Sequence, residues 1–137
     1  LDNVKIIELQ SQQLRVAESS TELDIALNLY KSDLEIMWSK AEKNESFDSK
    51  QLFKFKRNCS YVAKLARKSV DRLIEGMGAG GITCSNPAYT SYSDTIAGAS
   101  HRALSWDING SQWGKDLFGL TDGLTEVERR NKANLKN

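Results

Sequence analysis

The sequence predicts an all-α protein, an antiparallel up-and-down four-helix bundle. Three observations carry that reading. Apolar residues recur at spacings of three and four along two long segments, the signature of helices with one face toward a neighbour. No segment alternates with the period of a strand. Only a short polar stretch separates the two long segments, which makes antiparallel neighbours of them.

The first helix is read from Leu23, Ala26, Leu27, Tyr30, Leu34, Met37, Trp38 and Ala41, a single stripe. Val4, Ile7, Leu14 and Ala17 extend the period upstream, giving one long helix over about residues 3–43 that Ser19, Ser20 and Thr21 disturb. The stripe is expected to face the second helix, so that Leu34→Ala costs roughly 2–5 kcal/mol.

"NESFDSK" breaks the pattern and supplies Asp48 or Ser49 as an N-cap. A second helix follows, with Leu52, Phe55, Cys59, Val62, Ala66, Ser69 or Val70, Leu73 and Met77 along one stripe. Charge supports the pairing. Residues 18–45 carry seven acids against three lysines, and residues 50–72 carry eight bases against Asp71. Two faces of opposite sign help to set register, and the same basic run offers a site for a phosphate on a ligand or partner.

"EGMGAGGITCSNPAY" follows. Gly76, Gly78 and Gly81 spell G-x-G-x-x-G, but a dinucleotide fingerprint follows a strand and opens a helix, whereas this run follows a helix. Its expected role is to end the helix with positive-φ glycines and reverse the chain. Asn86 as N-cap and Pro87 as first helical residue start a third helix running to about Leu104. A fourth opens near 105–107 and closes at Gly119. The bundle thus occupies 1–120, and 121–137 forms a polar C-terminal tail.

A chain of 137 residues holds one domain. Its 19 basic and 18 acidic residues leave a net charge of +1, too little to draw in nucleic acid or an anionic membrane. No apolar run approaches the ~20 residues that span a bilayer, and no signal peptide opens the chain, so a cytoplasmic location is expected. Cys59 and Cys84 read as reduced, buried small side chains. One histidine and two distant cysteines cannot assemble the usual metal sets, and no metal is expected. The chain begins with Leu1 and enters helical patterning at once, as an excised domain does.

The remaining candidate for chemistry is His101, the sole histidine. On the third helix Asp94, Ala97 or Gly98 and His101 share one face, with small residues beside the imidazole. A lone helical histidine is structural more often than catalytic, and the residues alone go no further.

The order of features adds more. "SNPAYTSYSDTIAGASH" resembles the segment Asn-Pro-x-x-Arg-x-x-Arg-Asp-x-x-x-x-x-x-His of flavin-dependent oxygenases with the acyl-CoA dehydrogenase fold. "HRALSWDINGSQWGKDLFG" keeps an Asp six residues beyond the histidine, and Gly114 and Gly119. The likeness covers about residues 4–120 and corresponds to the C-terminal helical domain, closest to the two-component hydroxylases. It implies that His101 faces flavin and substrate as the catalytic residue, assisting substrate deprotonation or stabilising the flavin hydroperoxide that transfers oxygen. An imidazole serves as acid or base near neutrality, and small neighbours leave room for a flat ring.

Thr90 and Ser93 stand where the oxygenases carry arginines. No carboxylate lies between Glu75 and Asp94, where dehydrogenases place a catalytic glutamate, which favours the oxygenase branch. The resemblance further implies FMN or FAD in the full-length protein, with none tightly bound to this fragment. It also implies N-terminal helical and central β-domains missing here, a homotetrameric parent, and a separate flavin reductase. Trp106, Trp113 and Phe118 are either exposed assembly surface or core. Two other readings stand beside this one: an acyl-CoA dehydrogenase, and a non-catalytic helical module whose basic helix from Lys50 to Arg72 binds an acidic partner.

Overall fold

The computed structural model describes residues 5–121 and Leu124. The tail expected over 121–137 lies outside the described residues apart from Thr121 and Leu124. A 3-10 turn, Ile6–Glu8, leads into α1 (Gln10–Glu42), and α2 (Ser49–Met77) follows. A second 3-10 turn, Gly78–Ile82, precedes α3 (Pro87–Ala99); a third, Arg102–Leu104, precedes α4 (Trp106–Leu117). The fold is all-α with four α-helices, and no strand occurs among the described residues.

The boundaries follow from local chemistry. Asp48 caps α2 by accepting the Gln51 N–H at 2.7 Å, while the Gln51 side chain accepts the Asp48 N–H at 3.2 Å, a reciprocal capping box. Gly78 ends α2 at φ 61°, a conformation that costs glycine little and side-chain-bearing residues more. Asn86 accepts the Ala88 N–H at 3.0 Å, and Pro87 occupies the first turn of α3, where its missing N–H removes nothing.

Helix α1 runs unbroken through Ser19, Ser20 and Thr21, where a disturbance was expected. The Ser20 and Thr21 hydroxyls donate to the Ala17 carbonyl at 2.9 and 2.8 Å, absorbing their polarity within the helix. Helix α2 lies antiparallel to α1, as the cross-pairs show: Gln12 with Gly76, Ser19 with Ser69, Glu22 with Arg72 and Asp33 with Asn58.

Those pairs also overturn the expected packing face. The apolar stripe does not form the seam: Leu23, Leu27, Tyr30, Leu34 and Trp38 are all exposed, with Leu34 at 44% and Trp38 at 70%. The buried residues of α1 are Ser19, Ala26 and Asp33, seven apart and therefore on one face. The physical reason lies on α2. Ser69, Arg72 and Asn58 offer hydrogen-bonding partners in matching register, and polar groups at a seam must be paired before they can be buried. Among the described residues the apolar stripe has no such counterpart.

Helix α2 is the hub, packing against α1, α3 and α4. Its buried residues are Phe53, Phe55, Asn58, Ser60, Ala63, Leu65 and Ser69, a wider arc than the single stripe expected, because three neighbours surround it. Phe47 meets Phe55 edge-on at 5.4 Å and closes the end of the α1–α2 pair. Ala88 lies near Gly76, whereas Trp106, Asn109 and Trp113 meet Tyr61, Ser60 and Arg57 in turn. Helices α3 and α4 therefore follow one another along α2, both antiparallel to it.

Candidate functional site

The site is built on the break between α3 and α4. Helix α3 ends at Ala99, five residues short of the Leu104 expected, so His101 does not share a helical face with Asp94 and Gly98. The Ser100 hydroxyl donates to the Ile96 carbonyl at 2.8 Å and satisfies the end of the helix. His101 then adopts an extended conformation, φ −62° and ψ 133°, and caps the 3-10 turn Arg102–Leu104. Its ring nitrogen Nδ1 accepts the Ala103 N–H at 3.2 Å. The residue is exposed, so the imidazole is available to a ligand or another polypeptide.

Beneath this turn lies a cavity of about 170 Å³, lined by Ser60, Lys64, Arg67, Ala99, Leu104 and Trp106, among others. Lys64 Nζ sits 5.2 Å from the centre of the Trp106 ring, which in turn packs at 5.2 Å on Tyr61. Further along α4, the Arg57 guanidinium stacks 4.5 Å from the centre of the Trp113 ring. Trp106 and Trp113 are therefore half-buried anchors of α4 on α2, while Phe118 is 81% exposed.

Several polar residues that hold this end together carry no mark in the sequence. Asn109 donates to Ser60 Oγ and to the Ala103 carbonyl. Asn58 donates to both oxygens of the buried Asp33, at 3.0 and 2.8 Å, and accepts from Arg57 Nε at 2.9 Å. Their only signal in the sequence is position, since each falls on a helix face whose neighbours are buried.

At the other end of the α1–α2 seam, Arg72 bridges Glu22 at 2.7 Å and Glu18 at 3.0 Å, and Lys68 reaches Glu22 at 2.6 Å. Hydrogen bonding from Arg72, reinforced by Lys68 and opposed by partial desolvation, holds the Glu22 carboxyl down at about 2. The same contact raises the Arg72 guanidinium further above its ordinary range. The opposite charges of the two helices thus set register, as expected, and Arg72 and Lys68 are spent on α1 rather than on an outside anion.

Cys59 is half-buried, and Cys84 is exposed rather than buried as expected, because it falls in the turn between α2 and α3. Burial, with Asp33 adding to it, pushes the Cys59 thiol up from its ordinary value. Gly76, Gly78 and Gly81 line no phosphate cradle. Gly76 lies within α2 against Gln12, Gly78 ends the helix, and Gly81 is buried against Met77. Among the described residues no helix is long and apolar enough to cross a membrane. An apolar groove of about 800 Å³ opens beside Ile6, Ile7, Val16, Leu73 and Met77.

Comparison with known proteins sets this geometry in context. The sequence model described as acyl-CoA dehydrogenase, C-terminal domain, matches residues 1–106. The oxygenase component of an FADH(2)-dependent resorcinol hydroxylase from Rhizobium sp. (strain MTP-10005) is 25% identical over 122 residues, 86% of this chain and 30% of that protein. The crystal structure of 3-HSA hydroxylase from Rhodococcus sp. RHA1 matches with a TM-score of 0.79 at 20% identity, over 93% of this chain and 33% of its own. At that identity the likeness is one of fold. The chain spans about a third of the length of these relatives.

Proposed function

Given that the chain belongs to the acyl-CoA dehydrogenase C-terminal domain family, we propose that it is the helical C-terminal part of a flavin-dependent monooxygenase, with His101 facing the reaction. The observation that carries this reading is the placement of His101. The sole imidazole stands exposed at the start of the turn between α3 and α4, and Ala99 before it and Leu104 and Ser105 after it line a small open cavity.

The described residues fit one wall of a flavin site. Cofactor pockets enclose about 300–1,000 Å³, and the cavity beneath the His101 turn has about 170 Å³, so the rest of the enclosure would come from other polypeptide. Lys64 and Arg67 would face the anionic portion of the cofactor, and Trp106 offers a flat apolar surface. Bound reduced flavin would supply the activation of dioxygen. The imidazole, exposed and flanked by Ala99 and Ser100, would hold or move a proton at an oxygen of the substrate. The FADH(2) dependence of the Rhizobium relative favours FAD over FMN, and a separate reductase would deliver it reduced.

The exposed apolar stripe of α1 and the groove at Ile6 and Met77 would be covered by the missing N-terminal and β-domains, or by other copies in a tetramer. Two free thiols suit a reducing compartment such as the cytoplasm. The full-length protein supplied with reduced FAD is expected to consume oxygen and hydroxylate a phenolic substrate. Reduction of its flavin by an acyl-CoA, with no hydroxylation, would instead make it a dehydrogenase.

A further inference from the structure

The turn that carries His101 is held from beneath by one side chain. Asn109 lies on the buried face of α4, 8% exposed. Its amide nitrogen donates to Ser60 Oγ on α2 at 2.6 Å and to the Ala103 carbonyl at 2.8 Å. The Ser60 hydroxyl proton goes to the Lys56 carbonyl at 2.9 Å, which leaves its oxygen as an acceptor. The polarity of the junction is thereby fixed. Turning the amide over would set its oxygen against the Ala103 carbonyl, two acceptors face to face.

Ala103 is also the residue that engages the ring, through its N–H to His101 Nδ1 at 3.2 Å. A neutral imidazole carries one proton, and a nitrogen that accepts a hydrogen bond does not carry it. With Nδ1 accepting, the proton sits on Nε2. A neutral His101 is then a donor on its outward side, suited to an anionic or carbonyl oxygen. Abstraction of a proton at Nε2 would require the ring proton to move to Nδ1, where it would oppose the Ala103 N–H.

We propose that Asn109 is a positioning residue: by tying Ala103 to Ser60 on α2, it holds His101 as the Nε2–H tautomer and makes it a hydrogen-bond donor to a substrate oxygen. The inference rests on the reading of His101 as the reacting imidazole, and it selects donation over the alternative of substrate deprotonation.

The single histidine makes the test clean, since the 137-residue chain gives one set of imidazole signals. Nitrogen-15 NMR at about pH 8.5, above the ordinary histidine range, should show a protonated Nε2 and an unprotonated Nδ1 in the native chain. Asn109→Ala should move both nitrogens toward the averaged pattern of a free imidazole. Ser69→Ala, which removes a buried hydroxyl at the far end of the seam, should leave them in place. If Asn109→Ala does not fold, Ser60→Ala takes its place, with a smaller displacement in the same direction expected.

A native ring protonated at Nδ1 overturns the proposal. So does a folded Asn109→Ala chain, or a Ser60→Ala chain standing in for it, whose ring signals stay native. These signals are read without turnover, so they fail or hold independently of the oxygenase assignment.

Discussion

Arg72 of α2 meets Glu22 of α1 through two hydrogen bonds, Nη1 to Oε2 at 2.7 Å and Nη2 to Oε1 at 3.0 Å, within a seam that is polar rather than oily. The bidentate geometry orients as well as attracts. Ser19 and Ser69 lie one turn away, each hydroxyl donating to the other's carbonyl at 3.2 and 3.3 Å. Helices α1 and α2 are registered by these pairs, and acid should undo them.

The Glu22 carboxyl sits at about 2 instead of the ordinary 4.5. A group whose folded value is depressed contributes stability above its unfolded value and loses it as pH falls through the folded one. The thermal midpoint should therefore drop as pH is lowered from 4.5 toward 2. In Glu22→Gln the midpoint at neutral pH should be lower, and its slope across that window shallower. An unchanged slope would remove Glu22 from the account of acid stability.

Leu34→Ala should cost less than about 1 kcal/mol, because Leu34 is already 44% exposed and stands outside the buried α1–α2 seam. Leu65 is only 7% exposed, and Leu65→Ala should cost about 2–5 kcal/mol. Urea denaturation of the two variants decides the matter. Equal losses would mean that the α1 stripe is buried in this chain after all.

Gly110 shows the opposite constraint. A Cβ there would lie 2.9 Å from Cε2 of Trp106, a ring already fixed against Tyr61 and Lys64. Helix propensity alone favours alanine over glycine by roughly 1 kcal/mol, but overpacking of this kind costs about 1–3 kcal/mol. Gly110→Ala should therefore lower stability in urea. A gain would show that the Trp106 ring moves aside freely.

The two thiols should differ in reactivity. Burial raises Cys59 and shields it, while Cys84 is exposed. Brief alkylation near pH 8 followed by mass spectrometry should label Cys84 first. Equal labelling would mean that the α2 face around Cys59 opens readily.

Much of this fold was legible from residues whose chemistry is local. Asp48, Gly78, and Asn86 with Pro87 each fix a helix end through their own backbone conformation or bonds to nearby backbone. The buried face of α1 was not legible. Two sets of residues share the same spacing there, one apolar through Leu27 and Leu34, one polar through Ser19, Glu22 and Asp33, and periodicity favours the apolar set. The choice between them is made by Ser69, Arg72 and Asn58 across the seam, which a pattern within one helix does not contain.

The end of α3 was missed for a similar reason. Nothing between Ser100 and Leu104 breaks a helix by itself, and the turn is set by Asn109 reaching back to Ala103 from α4. His101 stands out in the sequence as the chain's sole imidazole, whereas Asn109 and Ser60, which hold its turn, carry no such mark.

The central claim is that His101 serves the oxygenation step. The most direct measurement is hydroxylation by the full-length protein carrying His101→Ala, with reduced flavin supplied. General acid–base groups contribute about 10²–10⁴ in rate, and kcat is predicted to fall within that range while the protein stays folded. A variant that hydroxylates as fast as the native protein would contradict the account.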